Sequence, residues 1–97
     1  MTTAHWQLAI DAFLDELTIG RQLSLHTVSG YRRDLKKFSD YCLAEKIQHP
    51  DQAHAADVRR WVGAAHRKGL SGKSLQRGLS ALRSFYQFRA RNGGRHN

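Results

Sequence analysis

Apolar side chains recur along this chain at helical rather than strand spacing, and they do so in four places. Trp6, Ile10, Phe13, Leu14 and Leu17 form the first stripe and predict a helix over residues 4–18, broken by Gly20. Val28, Leu35, Phe38 and Cys42, with Tyr31 at the edge, predict a second helix over 25–45. Ser24 suits its N-cap, because the hydroxyl can accept from the free amides of the first turn, and Leu23 and Val28 can close a hydrophobic staple. His49-Pro50-Asp51 marks a loop. Val58, Trp61, Val62 and Ala65 predict a third helix over 55–68, the least well capped of the set, with Gly69 suited to the left-handed position after it. Leu75, Leu79, Leu82 and Tyr86, with Phe85 beside them, predict a fourth over 72–92, capped by Ser71, stapled by Leu70 and Leu75, and ended by Gly93-Gly94.

The second and fourth helices echo each other at a constant offset. Leu23 pairs with Leu70, Ser24 with Ser71, Thr27 with Ser74, Val28 with Leu75, Leu35 with Leu82, Lys36 with Arg83 and Phe38 with Phe85. Any two capped amphipathic helices share part of this pattern. The alternative is two helices doing one job, each presenting a hydroxyl-rich N-terminus and a basic flank to the same partner.

Charge gives that partner a sign. Residues 1–57 carry six basic and eight acidic side chains; from Val58 to Asn97 there are ten basic and no acidic ones. A field this one-sided fits a polyanion, and nucleic acid ahead of membrane, because the basic stretch is an ordinary amphipathic helix. Ninety-seven residues make one domain with a real core. Cys42 is the single cysteine, so no internal disulfide forms and a reducing compartment fits. Asp11, Asp15 and Glu16 interrupt the N-terminal apolar positions, which argues against a signal peptide, and no run reaches the length of a membrane span. A cytoplasmic, nucleoid-associated protein is expected.

A helix N-terminus offers free amides and the positive end of the helix dipole to a phosphate. Ser24, Thr27, Ser71 and Ser74 add short donors at the two starts. On the fourth helix Lys73, Ser74, Arg77, Ser80 and Ala81 lie opposite the apolar stripe, short or basic, as a major groove requires; Arg77 sits where it could reach guanine O6 and N7. On the second, the matching face is His26, Thr27, Gly30, Arg33 and Lys37. Gly30 either admits a close ligand backbone or is tolerated drift. Arg83 has two readings, a phosphate contact or an ion pair with Asp34 or Asp40. Arg59, Arg60, Arg67 and Lys68 read as a solvated face, Tyr31 as core edge, and Trp6 and Trp61 as core. The six histidines show no ligand spacing and Cys42 falls on an apolar stripe, so neither a metal nor any other cofactor is expected. Gly69 to Ser74 ends in Gly-Lys-Ser, but its first glycine stands at the wrong distance for a phosphate loop and no strand precedes it. No nucleophile-base or paired-carboxylate arrangement emerges.

Two blocks resemble a known family. Leu23-Ser24, Thr27 and Tyr31-Arg32-Arg33-Asp34-Leu35 resemble the second helix of the N-terminal core-binding domain of tyrosine recombinases. Arg67 to Ser71, Ser74 and Leu79 to Tyr86 resemble its fourth helix, closest to the XerC branch and more than to the XerD branch. The resemblance implies an all-α, four-helix orthogonal bundle of two crossed hairpins, the SAM-like fold, over residues 1–94, with 95–97 opening a linker. It implies that the second and fourth helices enter adjacent major-groove turns of double-stranded DNA. Thr27, Gly30, Arg33 and Lys36, and Lys73, Ser74, Arg77 and Ala81, match groove- or phosphate-contacting positions. It also implies a half-site as target, a XerD-like partner recombinase, and a role in resolving chromosome dimers at cell division. The family's catalytic Arg, Lys, His and Tyr would follow Asn97, so this stretch is expected to be a non-catalytic, monomeric N-terminal domain. Leu25 stands where the family often has Pro, a departure that costs rigidity in the first turn but no contact.

Two other classes compete. One is an interaction module for tetramer assembly, using the first helix or the basic third. The other is a helix-turn-helix regulator, with helices three and four joined through Lys68-Gly69-Leu70-Ser71. The regulator predicts one recognition helix and a dimer; the recombinase domain predicts two DNA-facing helices and a monomer.

Overall fold

The computed structural model describes residues 3–92, and among these the regular structure is entirely helical. Helix α1 spans Thr3–Asp15 and runs into a π-helical turn, Glu16–Gly20; α2 spans Leu25–Ala44; a short 3-10 turn, Pro50–Gln52, precedes α3, Ala55–Arg67, and α4, Gly72–Arg91. Gly93-Gly94 and the expected linker lie outside the described residues. No described helix is long and apolar enough to cross a membrane.

The first helix ends differently from the expected break at Gly20. The wider turn keeps Leu17 fully buried while the chain reverses, with the Leu23 amide donating to the Leu17 carbonyl at 2.9 Å. The left-handed residue here is Gln22, at φ 54°. The left-handed residue following α2 is Lys46, at φ 66°, and that following α3 is Gly69, at φ 99°, as its sequence position suggested. Both ends close the same way: the Lys46 and Ile47 amides donate to Leu43 and Cys42, and the Gly69 and Leu70 amides donate to His66 and Ala65. Leu23, Ile47 and Leu70, one after each left-handed residue, turn inward against the core or its margin.

The predicted α1 stripe is buried throughout. Phe13, Phe38 and Phe85 form the centre, with Phe13 edge-on to Phe85 at 5.8 Å and Trp6 edge-on to Phe38 at 5.8 Å. On α4 the buried stripe is rotated from the expected one. Leu75, Gly78, Ala81, Leu82 and Phe85 face inward, while Leu79 and Tyr86 flank them. The cause is that α4 packs on α1, α2 and α3 together, so its buried arc is wider than one apolar stripe.

The segment between α2 and α3 is tied to both ends of the chain. Trp6 Nε1 donates to the Ile47 carbonyl at 2.9 Å, Tyr86 Oη to the Pro50 carbonyl at 2.8 Å, and Arg89 pairs with Asp51 at 2.8 Å. The α3 start is better capped than its sequence suggests: the His54 amide donates to Asp57 Oδ2 at 2.8 Å, and Arg60 pairs with the same buried carboxylate. These bonds hold Asp57 below the usual carboxylate range, the backbone amide being the larger cause. Cys42 is fully buried, and burial pushes its thiol up to about 12, so it serves as a small apolar core residue.

Candidate nucleic-acid interface

The starts of α2 and α4 are built alike. Ser24 Oγ accepts from the Thr27 amide at 3.2 Å and donates to Thr27 Oγ1 at 3.0 Å; Ser71 Oγ accepts from the Ser74 amide at 3.1 Å. Both serines are exposed. Each therefore fixes a helix start while leaving that start open to solvent, where the dipole favours an anion.

Between the two helices runs a shallow groove. His26, Thr27, Gly30, Tyr31, Arg33 and Asp34 line it from α2, and Arg77 and Ala81 from α4. Thr27, Gly30, Arg33 and Arg77 thus line one groove. Lys73 and Ser80 lie on the same exposed side of α4 as Arg77, and neither Lys73 nor Arg33 has an acidic partner among the described residues. Tyr31 is half-buried, edge-on to Phe13 at 5.7 Å, which makes it the rim of the core rather than a free ring.

Two expected residues stand elsewhere, and a third, Ala81, is turned inward at the groove's floor. Ala81 is only 2 % exposed: it forms the floor where α4 crosses α2, not an outward contact. Lys36 points to the α1 side of α2 and pairs with Asp40 at 3.0 Å. Arg83 faces the opposite flank of α4, beside Pro50, His54, Val58 and Tyr86. It pairs with neither Asp34 nor Asp40, because Arg77 and Lys36 already hold them.

The sequence offers Asp34 as a partner for Arg83; the structure buries it, 4 % exposed, and gives it to Arg77 instead. Arg77 Nε donates to its Oδ2 at 2.9 Å and Nη2 to its Oδ1 at 3.0 Å. This bidentate pair uses one edge of the guanidinium and leaves the edge formed by Nη1 and Nη2 without a partner among the described residues. Asp34 also raises the Arg77 pKa, through these bonds first, so the guanidinium stays charged. No other acid lines the groove among the described residues; Asp40, Asp51 and Asp57 lie elsewhere, paired with Lys36, Arg89 and Arg60.

The four helices, with the similarly capped starts of α2 and α4 flanking one groove, form an all-helical domain of the SAM-like class. The chain belongs to the phage integrase N-terminal SAM-like domain family, whose model matches residues 10–93. Its similarity to tyrosine recombinase XerC of Xanthomonas campestris pv. campestris is 45% identity over 85 residues, covering 88% of this chain and 26% of that protein. XerC of Azotobacter vinelandii is 45% identical over 87 residues, 90% of this chain and 29% of the relative. Tyrosine recombinase XerD of Staphylococcus saprophyticus is 39% identical over 82 residues, 84% and 28% respectively. The chain thus spans between a quarter and a third of the length of these relatives. No solved structure gives a significant match.

Proposed function

We propose that this chain is a sequence-selective duplex-DNA-binding module, the N-terminal domain of a XerC-like tyrosine recombinase. The observation that carries the reading is the α2–α4 groove, where Thr27, Gly30, Arg33 and Arg77 meet between two open helix starts. The exposed Lys73 and Arg33 supply phosphate contacts, and Arg77 reads a base edge. The chain itself performs no strand cleavage in this reading. It clamps one half-site while a catalytic domain acts, alongside a XerD-like partner recombinase, in resolving chromosome dimers. Such work places it in the cytoplasm, on the nucleoid. Two helices share the groove, which favours this reading over a regulator that offers α4 alone. The exposed apolar side chains Leu8, Ile19 and Leu25 favour a second role in contacts between recombinase subunits.

Paired variants test the assignment. Arg77→Ala lowers the preference for a selected half-site over a scrambled duplex by roughly ten- to a hundredfold. Lys73→Ala weakens both duplexes alike. Equal losses on both duplexes for Arg77→Ala would remove it as a base reader.

A further inference from the structure

Asp34 has no place in a simple picture of a basic groove. It is a nearly buried carboxylate, 4 % exposed, set directly behind the arginine assigned to base contact. We infer that Asp34 is a specificity-determining positioning residue, which converts Arg77 from a phosphate-binding cation into an oriented, charge-compensated hydrogen-bond donor. The inference rests on the DNA-binding reading above and adds to it how the groove discriminates.

Two consequences of the geometry support it. First, orientation: a free arginine has several rotatable bonds and samples many directions, whereas the contacts at 2.9 and 3.0 Å fix both the plane and the direction of this guanidinium. Its remaining edge, Nη1 with Nη2, is the fork that matches two acceptors on one base edge. Arg77 lines the groove with its side chain 52 % exposed, and its bonds to Asp34 use the other edge. Second, charge: a phosphate approaching from outside meets a guanidinium and a carboxylate in contact, which act on it as a dipole and not as a unit charge. Arg77 therefore releases few counterions on binding, unlike Lys73 and Arg33, which have no acidic partner among the described residues. Sequence-independent grip and sequence reading are in this way assigned to different side chains of one groove.

The pair makes a prediction of unusual sign. The 97-residue chain selects a consensus from a random-sequence duplex pool, and binding to that duplex and to a scrambled one is titrated against salt. In Asp34→Asn the arginine is released as a free cation. Affinity for the scrambled duplex rises several-fold at low salt, the salt slope steepens by roughly 0.9, and preference for the consensus falls. A role confined to stability would lower affinity for both duplexes and steepen neither slope. Unchanged slope and unchanged preference in Asp34→Asn, with the parent chain binding well, would overturn the inference alone. A parent chain that binds no duplex would instead overturn the DNA-binding reading beneath it. Should Asp34→Asn fail to fold by circular dichroism, the neutral replacement Asp34→Asn/Arg77→Gln decides. It loses the preference, and a slope shallower by roughly 0.9 would show that Arg77 had acted as a phosphate cation after all.

Discussion

Gly78 of α4 lies against the ring of Trp61 on α3, so close that a Cβ built on it would stand 3.0 Å from Trp61 Cη2. Trp61 cannot step aside easily, being 4 % exposed and held edge-on to Phe38 at 5.5 Å. A glycine inside a helix costs about 1 kcal/mol relative to alanine. Here that cost permits α3 and α4 to approach. Gly78→Val is expected to lose about 1–3 kcal/mol by overpacking, measured by chemical denaturation. A stabilised Gly78→Val would mean that the ring yields and the contact is not required.

Gly30 on α2 is the opposite case. A Cβ there would meet only Arg33 Nη2 at 3.9 Å, an ordinary contact. Gly30→Ala should therefore raise stability by about 0.5–1 kcal/mol in the same assay. Its position in the groove gives the glycine another use, close approach of a ligand. The same variant is expected to bind duplex DNA more weakly while folding more stably. Parent-like affinity would place Gly30 outside the interface.

Asp57 gives stability a pH dependence of definite sign. Its carboxylate accepts from the His54 amide and from Arg60, and both bonds favour the charged form, lowering its pKa. A lowered carboxylate contributes fully above its unfolded pKa and loses that contribution as pH falls through the folded value. The difference in melting temperature between the parent and Asp57→Asn should be largest near neutral pH. It should shrink as pH falls below the ordinary carboxylate range, about 4, and on through the lowered folded-state value. A difference that stays constant over that range would show that the charge on Asp57 contributes nothing.

How far the sequence carried each of these features depended on how local its cause is. The caps at Ser24 and Ser71 were legible because a hydroxyl and an amide three residues apart decide them. Gly69 was legible because the left-handed region favours glycine, whereas Gln22 and Lys46 adopt the same region without any residue-type mark. Ala81 was misplaced because alanine fits a groove floor and a helix crossing equally, and only the packing of α4 on its neighbours sets the width of its buried arc. Gly78 went unnoticed for the same reason, since its partner Trp61 lies on another helix. Asp34 and Arg77 stand 43 residues apart, and no periodicity along either helix announces the pair. Charge counting places the excess of basic side chains in the second half of the chain. It did not reveal that the arginine assigned to base reading is itself paired with a carboxylate.

Whether the α2–α4 face grips duplex DNA is decided by fluorescence anisotropy of a labelled duplex titrated over salt. With about five phosphates contacted, affinity should fall by roughly 10²–10³ between about 50 and 200 mM salt, and Lys73→Ala should flatten the slope. No binding at the lowest salt, or binding that neither salt nor Lys73→Ala changes, would contradict it.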